Sequence, residues 1–157
     1  MLLPFFEWCE SLWLGKAVVG SLWLFPVIES VHLLALSVLG GSILLVDLRM
    51  LGVGLKNYSV AALARDARPY MIGAIIMLIA TGVPLFLAES IKCYYSQAFW
   101  VKMTTLVPAL LFALTVRRRV ASGGEDARSR AVLALTGAIS LVLWFTVAAA
   151  GRWIGFS

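Results

Sequence analysis

Four stretches of the chain, at 27–51, 69–88, 98–116 and 131–151, run largely apolar for about the 20 residues that a helix needs to cross a bilayer. They predict an all-α, integral membrane four-helix bundle over residues 27–157. Residues 1–26 read differently, because Glu7, Glu10 and Lys16 interrupt a run rich in aromatic and aliphatic side chains. That mixture predicts a separate N-terminal interfacial helix or pair of turns, ending near Pro26, with Trp8, Trp13 and Trp23 at headgroup level. A signal peptide fits less well: acidic residues stand where a basic segment belongs, and no small-residue cleavage site follows.

Composition sharpens the class. With 62% hydrophobic and 13% charged residues and a mean hydropathy of +0.96, a soluble globular domain is excluded. The net charge of +5 is distributed unevenly. Arg49, Lys56, Arg65 and Arg68 lie around the first connection, and Arg117, Arg118, Arg119, Arg128 and Arg130 around the third, against Lys16, Lys92 and Arg152 elsewhere. The asymmetry predicts a multi-pass protein of a bacterial inner membrane, with the first and third loops cytoplasmic and both termini periplasmic. The surplus charge then meets anionic lipid headgroups and is no sign of a nucleic-acid partner. Ser59 before VAALARDA reads as the cap of a short surface helix, and SGGED as a turn. The loops carry no phosphate-cradling glycines, metal-ligand cluster or nucleophile motif. Cys9 and Cys93 both fall on the outward side, where a disulfide or two unrelated shielded thiols are the alternatives.

Projection at about 100° per residue places Glu29, His32, Leu36, Gly40, Ile43 and Asp47 on one side of the first span. Arg49 points away and is expected to snorkel to headgroups. Tyr70, Gly73, Met77, Thr81, Pro84 and Ala88 align on the second span, Lys102, Thr105, Ala109 and Ala113 on the third, and Thr136, Ser140, Val147 and Gly151 on the fourth. Such small and hydroxylated stripes are how membrane helices approach one another. They do not account for the ionisable members. His32 is the single histidine of the chain, and Lys102 enters the third span from the same side and at a similar depth. Glu29, His32 and Lys102 are therefore expected to share an interior layer and compensate one another's charge, joined by Met103 and by Trp144 or Thr146.

The run ESVHLLALSVLGGSILLVDLRMLG, with His32, the Gly40 and Gly41 pair and Arg49, resembles the first helix of the CopD and HemJ type of small bacterial membrane proteins. FWVKMTTLVPALLFALTVRRR, with Lys102 near its start, is similar to the corresponding later segment. The resemblance implies a four-helix architecture and either haem-linked or copper-linked activity. Three functions follow. One is a haem- or redox-associated protein with haem b on His32, where the second axial position is open, filled by Met103 or Lys102, or supplied by a second copy in a homodimer. Another is a non-enzymatic accessory or anchor subunit of a larger membrane complex, docking through its tryptophan-rich face. The last is transport of a proton, metal ion or small substrate through the Glu29, His32, Lys102 layer. The charge asymmetry sets the first experimental expectation: cysteines introduced at Ser59 and Ser122 resist membrane-impermeant thiol reagents in intact cells. Labelling of both from outside reverses the orientation.

Overall fold

The computed structural model describes residues 2–123 and 129–155, all-helical apart from turns and short connections. Residues 124–128, which hold most of the SGGED turn and Arg128, lie outside the described residues. Two short helices, α1 (Leu3–Ser11) and α2 (Trp13–Val19), lead into α3 (Leu24–Leu51). Then come α4 (Val60–Ala88), the short α5 (Ser90–Tyr95), α6 (Gln97–Ser122) and α7 (Arg130–Ile154). Helices α3, α4, α6 and α7 are each long and apolar enough to cross a membrane, and they make the chain a multi-pass membrane protein in contact with lipid.

Local chemistry explains where the spans differ from their expected limits. Pro26 does not precede α3 but sits in its first turn, where a missing N–H costs nothing because no intrahelical acceptor awaits it. Ser59 does act as a cap, its hydroxyl accepting from the N–H of Ala62 at 3.2 Å. The helix it starts is not a separate surface element, however. It runs on through Pro69 into the span as one 29-residue helix. At the other end of the first connection Gly52 takes φ +80°, the left-handed conformation that ends a helix, and a Cβ there would collide with the guanidinium of Arg130.

The four long helices form a ring in which α3 packs along α4 and α7, and α6 packs along α7. Helices α3 and α6 are thus diagonal. Between α4 and α6 the backbones approach at the end away from the cap, and Met71 and Ala74 share a core cluster with Ala109 and Ala113. At one end α1, α2 and α5 cap the bundle: the Phe6 ring lies 5.6 Å from Phe86, 5.2 Å from Tyr94 and 6.0 Å from Trp100, and Phe86 stacks on Phe99 at 5.7 Å. Glu10 adds a polar tie by accepting from the N–H of Ile91 at 2.8 Å. Both termini of the described chain lie at this capped end, as do Cys9 and Cys93, which are buried free thiols.

The interior face of α3 differs from the projected one. Ala35, Leu39, Ile43, Val46, Asp47 and Met50 are buried, whereas Glu29 and Gly40 are exposed. The first turns of α3 have little packed over them, so the stripe defined by Glu29 starts on the outside. Gly40, Gly41 and Gly73 border open space, and close approach is made elsewhere. A Cβ on Gly137 would lie 2.8 Å from the carbonyl oxygen of Asp47 and 3.2 Å from Cβ of Met50. A Cβ on Gly15 would lie 2.5 Å from the carbonyl oxygen of Leu87. These two glycines set the α7–α3 and α2–α4 spacings.

The contrast is testable by thermal unfolding in detergent. Gly137→Ala forces α7 off α3 and is expected to cost about 1–3 kcal/mol. Gly40→Ala meets no neighbour and gains helix propensity, so it is expected to be neutral or stabilising by up to about 1 kcal/mol. Equal destabilisation by the two would refute the assignment of Gly137 to the contact.

Candidate functional site

The interior carries two polar layers separated by apolar packing. His32, eight residues after Leu24, lies about 12 Å into α3 from the capped end. Its Nδ1 stands 2.8 Å from Oγ1 of Thr81 on α4. The hydroxyl of Thr81 has a single proton, which it donates to the carbonyl of Met77 at 2.7 Å. With that proton on Met77, Oγ1 accepts from the ring, and a neutral imidazole then carries its proton on Nδ1. Nε2 is left with a bare lone pair. Gly82 packs against the ring, and a Cβ there would stand 3.3 Å from Cε1.

Lys102 occupies the diagonal helix. Its aliphatic tail runs past Gly151, where a Cβ would lie 3.7 Å from Cδ, Cε and Nζ alike. His32 and Lys102 are both half-buried at a similar depth below the cap, and the other expected members of the layer are not beside them. Glu29 is exposed on α3, and Met103 is 40% exposed on the outer side of α6. Residue 103 follows Lys102 by about 100° around the helix, so the two cannot face one interior. The hydroxyl of Thr146 turns back to the carbonyl of Val142. Trp144 lies deeper, packed with Leu39, Ile43, Ala109 and Val147.

The second layer is built on Asp47, about 22 Å along α3 from His32. Its Oδ1 accepts from Nε of Arg117 at 2.6 Å, with the two side chains 0% and 5% exposed. The guanidinium also reaches Sδ of Met71 at 3.7 Å and the carbonyl of Ile43 at 3.4 Å. It thereby ties α6 to α3 and α4 at the end away from the cap. Arg117 reads in sequence as loop charge, yet it belongs to the bundle interior. The backbone supplies the reason. Each four-residue step of an α-helix overshoots one turn by about 40°, so two steps from buried Ala109 would carry residue 117 well off its face. The wider π turn at Ala113–Arg117 takes back part of that drift. Ser140 on α7 borders the same carboxylate. Among the described residues Oδ2 of Asp47, Oγ of Ser140 and Nε1 of Trp144 are buried with no hydrogen-bond partner within the chain.

Sequence reasoning missed this pair by ending the third span at residue 116. The signal was present, because Ala109, Ala113 and Arg117 recur every four residues on the face that begins with Lys102 and Thr105. Arg49, expected among headgroups, is buried as well and donates from Nε to the carbonyl of Tyr58 at 2.7 Å, holding the first connection against the helix end.

No three His, Cys, Asp or Glu residues converge as a metal cage among the described residues. A family model described as "Family of unknown function (DUF6644)" matches residues 5–157. No curated protein and no solved structure matches the chain.

The buried ion pair predicts a non-additive stability pattern. Asp47→Asn or Arg117→Met alone strands a buried polar or charged group and is expected to cost about 3–5 kcal/mol, while Asp47→Leu with Arg117→Met recovers most of it. Unfolding of the three variants in detergent decides, and simple addition of the single costs would show that the pair is not coupled.

Proposed function

The chain belongs to the DUF6644 family of unknown function, and we propose that it serves there as a redox-associated membrane protein whose cofactor, a haem, is held through His32. The observation that carries this reading is the Thr81–His32 hydrogen bond. Metal-bound histidines characteristically donate their second ring N–H to a neighbouring acceptor, which fixes the tautomer and aims the free nitrogen. His32 is prepared in that way, with Nδ1 on Thr81 and the ring packed against Gly82.

His32 would hold the iron through its free ring nitrogen, and Lys102 or His32 of a second copy would be the further nitrogen donors. Met103 and Glu29 are on the outside and supply none. Copper fits less well, because Met77 and Met103 are exposed while Met50 and Met71 are buried near the far end. A bound haem would supply one-electron chemistry. The chain's own part is to hold the imidazole in one tautomer and to keep water out from beneath by the Leu39, Ala109, Trp144 and Val147 packing. That apolar layer between His32 and Asp47 also favours a fixed redox site over conduction through the bundle. The likeness of the His32 and Lys102 placement to the CopD and HemJ pattern supports the same reading.

The proposed setting is the bacterial inner membrane with the capped end, and so His32, in the periplasmic half. Removing buried Arg49 and Arg117 from the count leaves Lys56, Arg65, Arg68, Arg118, Arg119 and Arg130 toward the opposite end, against Lys16, Lys92 and Arg152 at the cap. The excess keeps its sign.

Protein purified in mild detergent after haem-replete expression is expected to show a Soret band stoichiometric with the chain. His32→Ala should lose it while remaining folded, and Thr81→Val should weaken cofactor retention by about 10–100-fold. A featureless spectrum overturns the haem reading. It leaves the accessory-subunit reading, for which the exposed Trp13, Leu22 and Trp23 of the cap offer a docking face.

A further inference from the structure

Among the described residues, three buried polar atoms around the second layer have no partner within the chain: Oδ2 of Asp47, Oγ of Ser140 and Nε1 of Trp144. They come from two helices that touch at this depth. A Cβ on Gly137 would lie 2.8 Å from the carbonyl oxygen of Asp47. Ser140 follows Gly137 by three residues on the buried face of α7, where it borders the Asp47 carboxylate without bonding to it. Trp144 is one turn further. Long side chains on a helix lean back toward its N-terminus, over the residue four before, which here is Ser140. The indole also shares a core cluster with Ile43, one turn from Asp47 on α3. Asp47 and Ser140 are 0% exposed and Trp144 is 9% exposed, so none of the three can turn to bulk solvent for its bond.

A buried N–H, hydroxyl or carboxylate oxygen without a bond carries its full desolvation cost. The donors and acceptors on hand define what can remove it. Nε1 of Trp144 only donates, Oδ2 of Asp47 accepts, and Oγ of Ser140 does either. A cation cannot accept from the indole, and Arg117 already balances the carboxylate through Oδ1 at 2.6 Å. An anion is repelled by Oδ2. A neutral molecule that both gives and takes hydrogen bonds fits, and a site this enclosed admits the smallest of them. We infer that one ordered water bridges Oδ2 of Asp47, Oγ of Ser140 and Nε1 of Trp144, donating to the carboxylate and accepting from the indole. Asp47 lies four residues from Leu51, where α3 ends, or about 6 Å along the axis, so the water enters from the aqueous phase at the end away from the cap. The Arg117 network already joins α6 to α3 and α4. The water extends it to α7, so that all four spans meet in one polar layer.

Radiolytic footprinting of the whole protein in detergent micelles tests it. A millisecond X-ray exposure makes hydroxyl radicals from water wherever it sits, whereas radicals generated from peroxide attack only from bulk solvent. Trp144 is expected to be oxidised by the first and spared by the second, while the exposed Trp13 and Trp23 are oxidised by both. Ser140→Val replaces the hydroxyl by methyl groups that take the water's place. It is expected to lower oxidation of Trp144 by X-rays at least about tenfold while leaving Trp13 and Trp23 unchanged. The inference is overturned if X-rays leave Trp144 unmodified, if its oxidation survives Ser140→Val, or if both radical sources reach it, which would make the site an open cleft. Where Ser140→Val does not fold, a crystal structure of the wild-type protein decides. A density peak about 2.5–3.2 Å from all three atoms is expected, and no peak within reach of them removes the water.

Discussion

The bond between Arg117 and Asp47 governs the end of the bundle away from the cap. In lipid neither group can turn to water, so each must be satisfied by another helix, and the guanidinium does this for three at once through Asp47, the carbonyl of Ile43 and Met71. Several other features make sense only around it. The π turn at Ala113–Arg117 brings the side chain to the interior. Gly137 lets α7 press against the backbone of Asp47 itself. The aromatic cluster on Phe6 closes the opposite end of the α4–α6 side, so that these helices are pinned at both ends.

The layer of His32 and Lys102 follows a different physical logic. Its histidine is held in one tautomer by a threonine whose only proton is already spent on its own helix. Its lysine lies along Gly151, with no carboxylate paired to it among the described residues. Cys93 beside it belongs to the cap. Its thiol stays protonated because burial and Glu89 both oppose the thiolate.

Much of this protein is determined by its sequence alone. Four apolar runs of spanning length admit one class of structure, since a backbone in hydrocarbon must satisfy its own hydrogen bonds. Ser59 and Gly52 mark helix ends because a hydroxyl that accepts an N–H and a residue at ease with positive φ are local requirements. The cost of placing His32 and Lys102 inside the bundle is also legible, because it does not depend on which helix they meet. Only the tertiary structure decided who compensates whom. Glu29 lies on the same stripe as His32, Ile43 and Asp47, but the first turns of α3 lack a packed neighbour, so the stripe is covered at those three residues and not at Glu29. Arg117 and Asp47 stand 70 residues apart, and no local pattern links them. Their pairing depends on two helices crossing at one depth, and that is set by the sum of all the packing contacts rather than by either residue's neighbours in the chain.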